Sequence, residues 1–288
     1  VFAADATAQA IAAIREHLGG PLDGIIWSLA APRAQDPRTG AVVASALKPY
    51  GEPAWVWTFT NRDAEGVSKI VSIPMAPGTP EEAVATQYVM GGRIVERWVD
   101  ALQGAGILAP GCRLLTLTYR GSPLNAGIYR DGLIGLAKAD LEFHTRAMGA
   151  VLKDRVGGSA HAVCGPAVVT EASGGIPGVP LYMATLLDVM GREHEDPVAS
   201  MRRMFDEKIS LDGSFAPVVD DEGLVRMDDR ELSPVYLKRM TDRFHARHAG
   251  DVFEPELFDL FMRAYAQTRG FDVDGVDYEA EFDTDALT

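Results

Sequence analysis

Apolar positions along the chain follow two spacings, and the switches between them mark out the elements. In ATAQAIAAIREHL, Ile11, Ile14 and Leu18 recur at helical spacing, and Gly19-Gly20-Pro21 ends that helix. DGIIWSLAAP is a short apolar run that closes in small residues and Pro32, the pattern of a buried strand opening into a loop. Residues 33–53 are rich in Pro, Gly and charge and read as one long loop, which in a compact domain points to function. WVWTFT and KIVSIP alternate and carry β-formers, so they predict a hairpin. A Thr-Pro-Glu-Glu start opens a helical stretch over 79–108. RLLTLTYRG (113–121) is a second buried strand, 135–156 a long helix, and AHAVCGPAVVTEAS (160–173) a third strand running into a loop. A helix follows Pro180, further helices are expected near 197–208, 233–247 and 255–268, and the acidic end is expected to fray.

Apolar strands alternating with helices predict an α/β fold, a parallel sheet covered by helices. Residues 1–210 read as the catalytic domain and 211–288 as a helical extension with an acidic turn, packed on the same core. Neither G-x-G-x-x-G nor a P-loop occurs, and the chain opens on a helix at Val1. A dinucleotide fold begins with a strand, a glycine turn and a helix N-terminus, so its first βαβ unit would lie upstream.

Composition narrows the partners. The 288 residues are 47% hydrophobic, enough for a packed core, and carry a net charge of -14. An acidic surface opposes nucleic acid and anionic membranes, so an anionic ligand needs a local positive site. No apolar run is long enough to span a bilayer. Cys112 and Cys164 sit in apolar runs and read as buried small hydrophobes. Without a disulfide framework, a reducing cytoplasm is the expected setting.

In open parallel sheets, ligands sit beyond the carboxyl ends of the strands. The candidate ends are Ser28-Leu29-Ala30-Ala31, Tyr119-Arg120-Gly121 and Val168-Val169-Thr170. Within YRDGLIGLAK, Tyr129 precedes Lys138 by nine positions. An ammonium beside a phenol lowers its pKa, and such a pair can donate to a developing oxyanion. Nine residues of straight helix would turn the two side chains ~180° apart. To share one site, Tyr129 must therefore precede an irregular helix start, for which Gly132 and Gly135 are suited. A surface tyrosine followed by a solvated lysine fits the spacing as well. His245 and His248 lie three apart on a helix without a third metal ligand, and FDVDGVD (271–277) lacks the closing Glu of a calcium loop. Ser28 has no nucleophile-elbow glycines.

Taken in order, IIWSLAAPRAQDPRTGAVVASALKP, YRGSPLNAGIYRDGLIGLAKADLE, VVTEASGGIPGVPLYM, LVRMDDRELSP and FDVDGVDYEAEF resemble the FabV-type enoyl-ACP reductase / trans-2-enoyl-CoA reductase family over 1–282. The resemblance implies an enlarged short-chain-reductase-like Rossmann fold. It also implies NADH-dependent reduction of trans-2-enoyl thioesters, carried by CoA or by an acyl carrier protein, in a monomer. Tyr129 would be the catalytic acid or enolate stabiliser, Lys138 a ligand of the nicotinamide ribose that also tunes Tyr129, and Tyr119 a contact to the thioester. Leu29, Ala30, Val168, Val169 and Thr170 would line the cofactor site. Compared with the family, the chain lacks the opening glycine-rich phosphate turn and the acidic residue near the ribose. It has a longer turn at residues 19–23, and small residues at Asn125-Ala126-Gly127 that would reshape the acyl pocket. Reduction of a β-ketothioester, or an inert fragment unable to hold NADH, are the competing expectations.

Overall fold

The computed structural model of the chain describes residues 1–3 and 5–281; Phe282 and the end expected to fray lie outside the described residues. Helix α1 (Ala6–His17) leads into strand β1 (Leu22–Trp27), which runs parallel to β6 (Leu108–Thr118). β7 (Ser159–Cys164) and β8 (Leu224–Arg226) complete a four-stranded parallel sheet in the order β1-β6-β7-β8. Parallel neighbours need long crossovers. Helices α2 (Pro80–Met90) and α3 (Arg93–Gly104) lie between β1 and β6, and α4 (Leu133–Val156) lies between β6 and β7.

The sheet is covered on both faces, which is why β6 carries neighbouring buried residues Leu114, Leu115 and Thr116 rather than an alternation. On one face Leu114 joins Val95, Val99 and Leu102 of α3 and Leu141, Met148 and Leu152 of α4. On the other, Leu115 and Val163 meet Met204, Ile209, Val225 and Met227. A third cluster gathers α5 (Val179–Met190), α7 (Pro234–His245) and α8 (Pro255–Gln267) around Leu181, Leu186, Phe253 and Phe261. It also takes in Ile70 of the predicted hairpin, whose strands are β4 (Ala54–Phe59) and β5 (Ile70–Met75).

Several elements differ from the sequence expectation. The stretch 33–53 is not one loop, since β2 (Arg33–Gln35) and β3 (Val42–Ala44) pair within it. The expected helix over 79–108 is two helices, interrupted at Gly91-Gly92. There α4 crosses so closely that a Cβ on either glycine would collide with Asp140 or His144, and Asp140 Oδ2 accepts from the Gly92 N–H at 2.8 Å. β6 starts earlier than expected, at Leu108, and bends at Gly111 with φ +79°. Most informative is β8. Three residues are too short for a pattern, yet Leu224 and Val225 are buried and pair with Ala162 and Val163. The stretch 211–288 thus adds a strand to the sheet as well as helices. Cys112 and Cys164 are both buried and free. Among the described residues no helix is long and apolar enough to cross a membrane.

Candidate active site

The chain leaves β6 at Thr118 and must turn back to begin α4. Gly121 permits the reversal with φ +71°, and Asn125 organises it. Its Oδ1 accepts from Ser122 N–H at 2.8 Å, and its carbonyl accepts from the Ile128 and Tyr129 amides, each at 3.2 Å. Tyr129 therefore sits in a turn ahead of the helix, whose N-cap is Gly132. Gly135 is required here because a Cβ would run into the carbonyls of Tyr129 and Arg130, which fold back over the first helical turn. This is the irregular start that nine-residue spacing demanded.

Tyr129 and Lys138 consequently face one cavity of about 390 Å³. All four strands of the sheet open toward it at their carboxyl ends. Ser28 and Ala30 follow β1, Leu117, Thr118 and Tyr119 close β6, residues 165–168 with Thr170 follow β7, and Met227 follows β8. The remaining wall is Val179, Tyr182 and Met183 of α5, with Ser200 and Met201 of α6 (Pro197–Arg203) and Met204 just beyond. Among the described residues lining it, Lys138 is the one cation, so the local positive site that the acidic surface calls for is present. Lys138 Nζ donates to the Leu117 carbonyl at 3.1 Å, leaving donors of the ammonium free for a ligand. Tyr119 meets Tyr129 edge to face, with ring centroids 4.9 Å apart, and its hydroxyl accepts from Asn125 Nδ2 at 3.5 Å.

One electrostatic expectation is corrected. Lys138 does not pull Tyr129 down; burial pushes the Tyr129 phenol up to about 12. Burial likewise lowers Lys138, with Glu142 partly opposing that shift, and raises Tyr119 well above the ordinary tyrosine value. Burial alone sets the direction for the phenol, with no offsetting attraction from Lys138. The phenol is thus held neutral, which is the form that donates.

The other sequence candidates are placed as follows. Ala30, Val168 and Thr170 line the cavity. The Leu29 side chain is 50% exposed and is not among the lining residues, and Val169 packs against the α5/α8 cluster. His245 ends α7, His248 is exposed near Asp251, and residues 271–277 form turns. Sequence reasoning gave no role to Tyr182 and Met227, although both lie in the family-like stretches, nor to Met204, and it missed two buried carboxyls nearby. Glu142 accepts from Thr118 Oγ1 at 2.8 Å and pairs with Arg120 at 2.6 Å, tying α4 to the end of β6. Glu231 accepts from the Ala167 N–H at 2.6 Å. A small cavity of about 70 Å³ adjoins Tyr129 between Gly127, Trp55 and Phe244, beside the small residues that the sequence singled out.

A family model described as the trans-2-enoyl-CoA reductase catalytic region matches residues 1–210. The chain belongs to this family. A second model, described as an enoyl reductase FAD binding domain, matches residues 219–282. Among curated relatives of this reductase family, the chain is 36% identical to the enoyl-[acyl-carrier-protein] reductase [NADH] of Marinomonas sp. (strain MWYL1), over 99% of the chain and 70% of that protein. It is 37% identical to the enzyme of the same name from Streptomyces avermitilis, over 99% of the chain and 71% of that protein. Among solved structures, a Clostridium trans-2-enoyl-CoA reductase in complex with NADH superposes with a TM-score of 0.86 at 31% identity, covering 99% of the chain and 71% of the other. The Treponema denticola trans-2-enoyl-CoA reductase in complex with NAD gives 0.84 at 32%, covering 98% and 69%. The enlarged Rossmann-like reductase fold expected from the sequence is the fold observed.

The cavity's chemistry fits the nicotinamide end of NADH: an apolar wall, small residues at the β1 end for close approach, and an ammonium with free donors for ribose hydroxyls. Residues 219–282 do not fit a flavin. Among the described residues they give this cavity one lining residue, Met227, and the acids at their start are held in ion pairs, Asp220 with Arg226 and Glu222 with Arg120.

Proposed function

We propose that this chain reduces the trans-2 double bond of enoyl thioesters with NADH, as its relatives are named to do. The observation that carries the reading is the convergence of a neutral phenol and a part-buried ammonium on one apolar cavity at the carboxyl ends of a parallel sheet. NADH, when bound, supplies the hydride. As the β carbon accepts it, charge moves onto the thioester oxygen, and the Tyr129 hydroxyl donates to that oxygen. Tyr119, edge-on to Tyr129, contacts the thioester and holds the phenol's orientation. Lys138, fixed by the Leu117 carbonyl, holds the ribose hydroxyls. Ala30, Val168 and Thr170 line the nicotinamide side, with Leu29 and Val169 contributing backbone. A proton entering at the α carbon completes saturation. The small cavity at Gly127 accommodates part of the acyl chain.

The protein would work as a soluble cytoplasmic monomer, with residues 1–210 as the catalytic domain and 211–288 as an extension sharing its core. The test is loss of NADH absorbance with crotonyl-CoA and with a crotonyl carrier-protein thioester, against acetoacetyl thioesters as control. Consumption with the enoyl substrates is expected. A preference for the ketone would reassign the pair to carbonyl reduction, and no turnover by folded, NADH-bound protein would reject the reading.

A further inference from the structure

Residues 165–170 leave β7 and, Val169 apart, line the cavity, yet the loop holds few hydrogen bonds of its own. Gly165 N–H is tied to the Thr118 carbonyl and Thr170 N–H to Ser173 Oγ; between those ends the bonds fall on Ala167. The Ala167 N–H donates to Glu231 Oε2 at 2.6 Å, and its carbonyl accepts from His194 Nε2 at 3.0 Å. The two peptide groups that flank the Ala167 Cα are thus each held by a side chain, 64 and 27 residues away in sequence.

The two jaws are themselves joined. Glu195, next to His194, pairs with Arg230, next to Glu231, at 3.0 Å, and Arg203 pairs with Glu195 at 2.8 Å. Glu231 is 4% exposed, and its second oxygen has no partner among the described residues. Burying a carboxyl this way destabilises a fold, and burial pushes its pKa up to about 8. Packing alone gives no reason to retain it, whereas a short acceptor aimed at a single cavity-lining amide does.

We propose that Glu231 and His194 are positioning residues that fix the backbone on both sides of Ala167, and through it the Val168 to Thr170 backbone, against the nicotinamide end of NADH. This rests on the reading that the cavity takes NADH. It assigns the acidic C-terminal stretch a part in cofactor binding without contact to the cofactor.

The experiment is NADH titration by fluorescence together with steady-state kinetics on crotonyl-CoA, for wild type, E231A, E231Q and H194A. Losing one buried hydrogen bond should raise both Kd and KM for NADH on the order of 10-fold in E231A, with kcat at saturating NADH changed less than about 3-fold. E231Q, whose amide oxygen still accepts from Ala167, should return both to near wild type. H194A should shift them the same way by a smaller factor. Unchanged NADH affinity in folded E231A, or E231Q as impaired as E231A, would overturn the proposal. Should E231A not fold, H194A decides, because His194 is only half-buried, and an unchanged KM for NADH in it rejects the clamp. Wild type that binds NADH without consuming it sinks the reaction while the affinity series still judges the clamp. Wild type that does not bind NADH sinks both.

Discussion

The two walls of the cavity are built differently. The α4 wall, carrying Tyr129 and Lys138, is made mostly by consecutive chain, a glycine reversal, an Asn-organised turn and a helix start within residues 121–138, with one outside tie from the Leu133 N–H to the Lys48 carbonyl. The β7 wall, residues 165–170, takes its shape from His194 and Glu231 and from β8 on its flank. A wall made locally keeps its geometry through short-range sterics; a wall made at long range depends on the whole fold being docked. Substitutions should therefore damage the first wall's chemistry and the second wall's affinity.

The largest effect should come where the α4 wall meets β6. E142A leaves Arg120 without its buried partner and Thr118 without its acceptor, so unfolding by denaturant should show a loss of about 3–5 kcal/mol. Next is Tyr129→Phe, which removes one oxyanion donor. Its turnover number should fall by about 3 kcal/mol in barrier with NADH affinity unchanged, and near-wild-type turnover would move the donor role elsewhere. Gly135→Ala forces a Cβ against two carbonyls and should lower stability by about 1–3 kcal/mol. Because the collision displaces Tyr129 itself, turnover should fall further than thermal stability alone accounts for.

The effect that depends on pH belongs to the β7 wall. Glu231 is raised to about 8 by burial, with Asp228 adding to the shift and Arg226 opposing it. The folded state thus holds a proton that the unfolded chain releases near the ordinary glutamate value. Over that window the native state binds more protons than the unfolded one, so this group's contribution to stability falls as pH rises from about 4.5 to 8. E231Q, which cannot ionise, should melt higher than wild type at pH 8 and show little difference near pH 4.5. Equal melting shifts at both pH values would show that Glu231 titrates outside this window.

The same contrast explains what the sequence displayed. Strands with long apolar runs and helices with clear spacing, such as β6, β7 and α4, were legible because each buries its own residues in a periodic way. β8 was not, because three residues become a strand only when the β7 edge supplies hydrogen bonds. The break at Gly91-Gly92 was overlooked although the glycine pair signals it; the crossing of α4, together with the Gln87 carbonyl, makes the glycines necessary. At the site, the family motif singled out Tyr129 and Lys138, and their nine-residue spacing added the requirement of an irregular helix start. Tyr182, Met227 and Glu231 carried no such implication, and the direction of the Tyr129 shift was misread because the cost of desolvation is invisible until burial is known.

By itself, then, the sequence determined the α/β alternation through its hydrophobic period and the family through its ordered motifs, and it set the condition that Tyr129 and Lys138 share a site only across an irregular helix start. Tertiary structure alone decided the fourth strand, the direction of the phenol's pKa shift and the grip on Ala167. Each of those depends on which distant groups exclude water from one another, and chain spacing does not encode that.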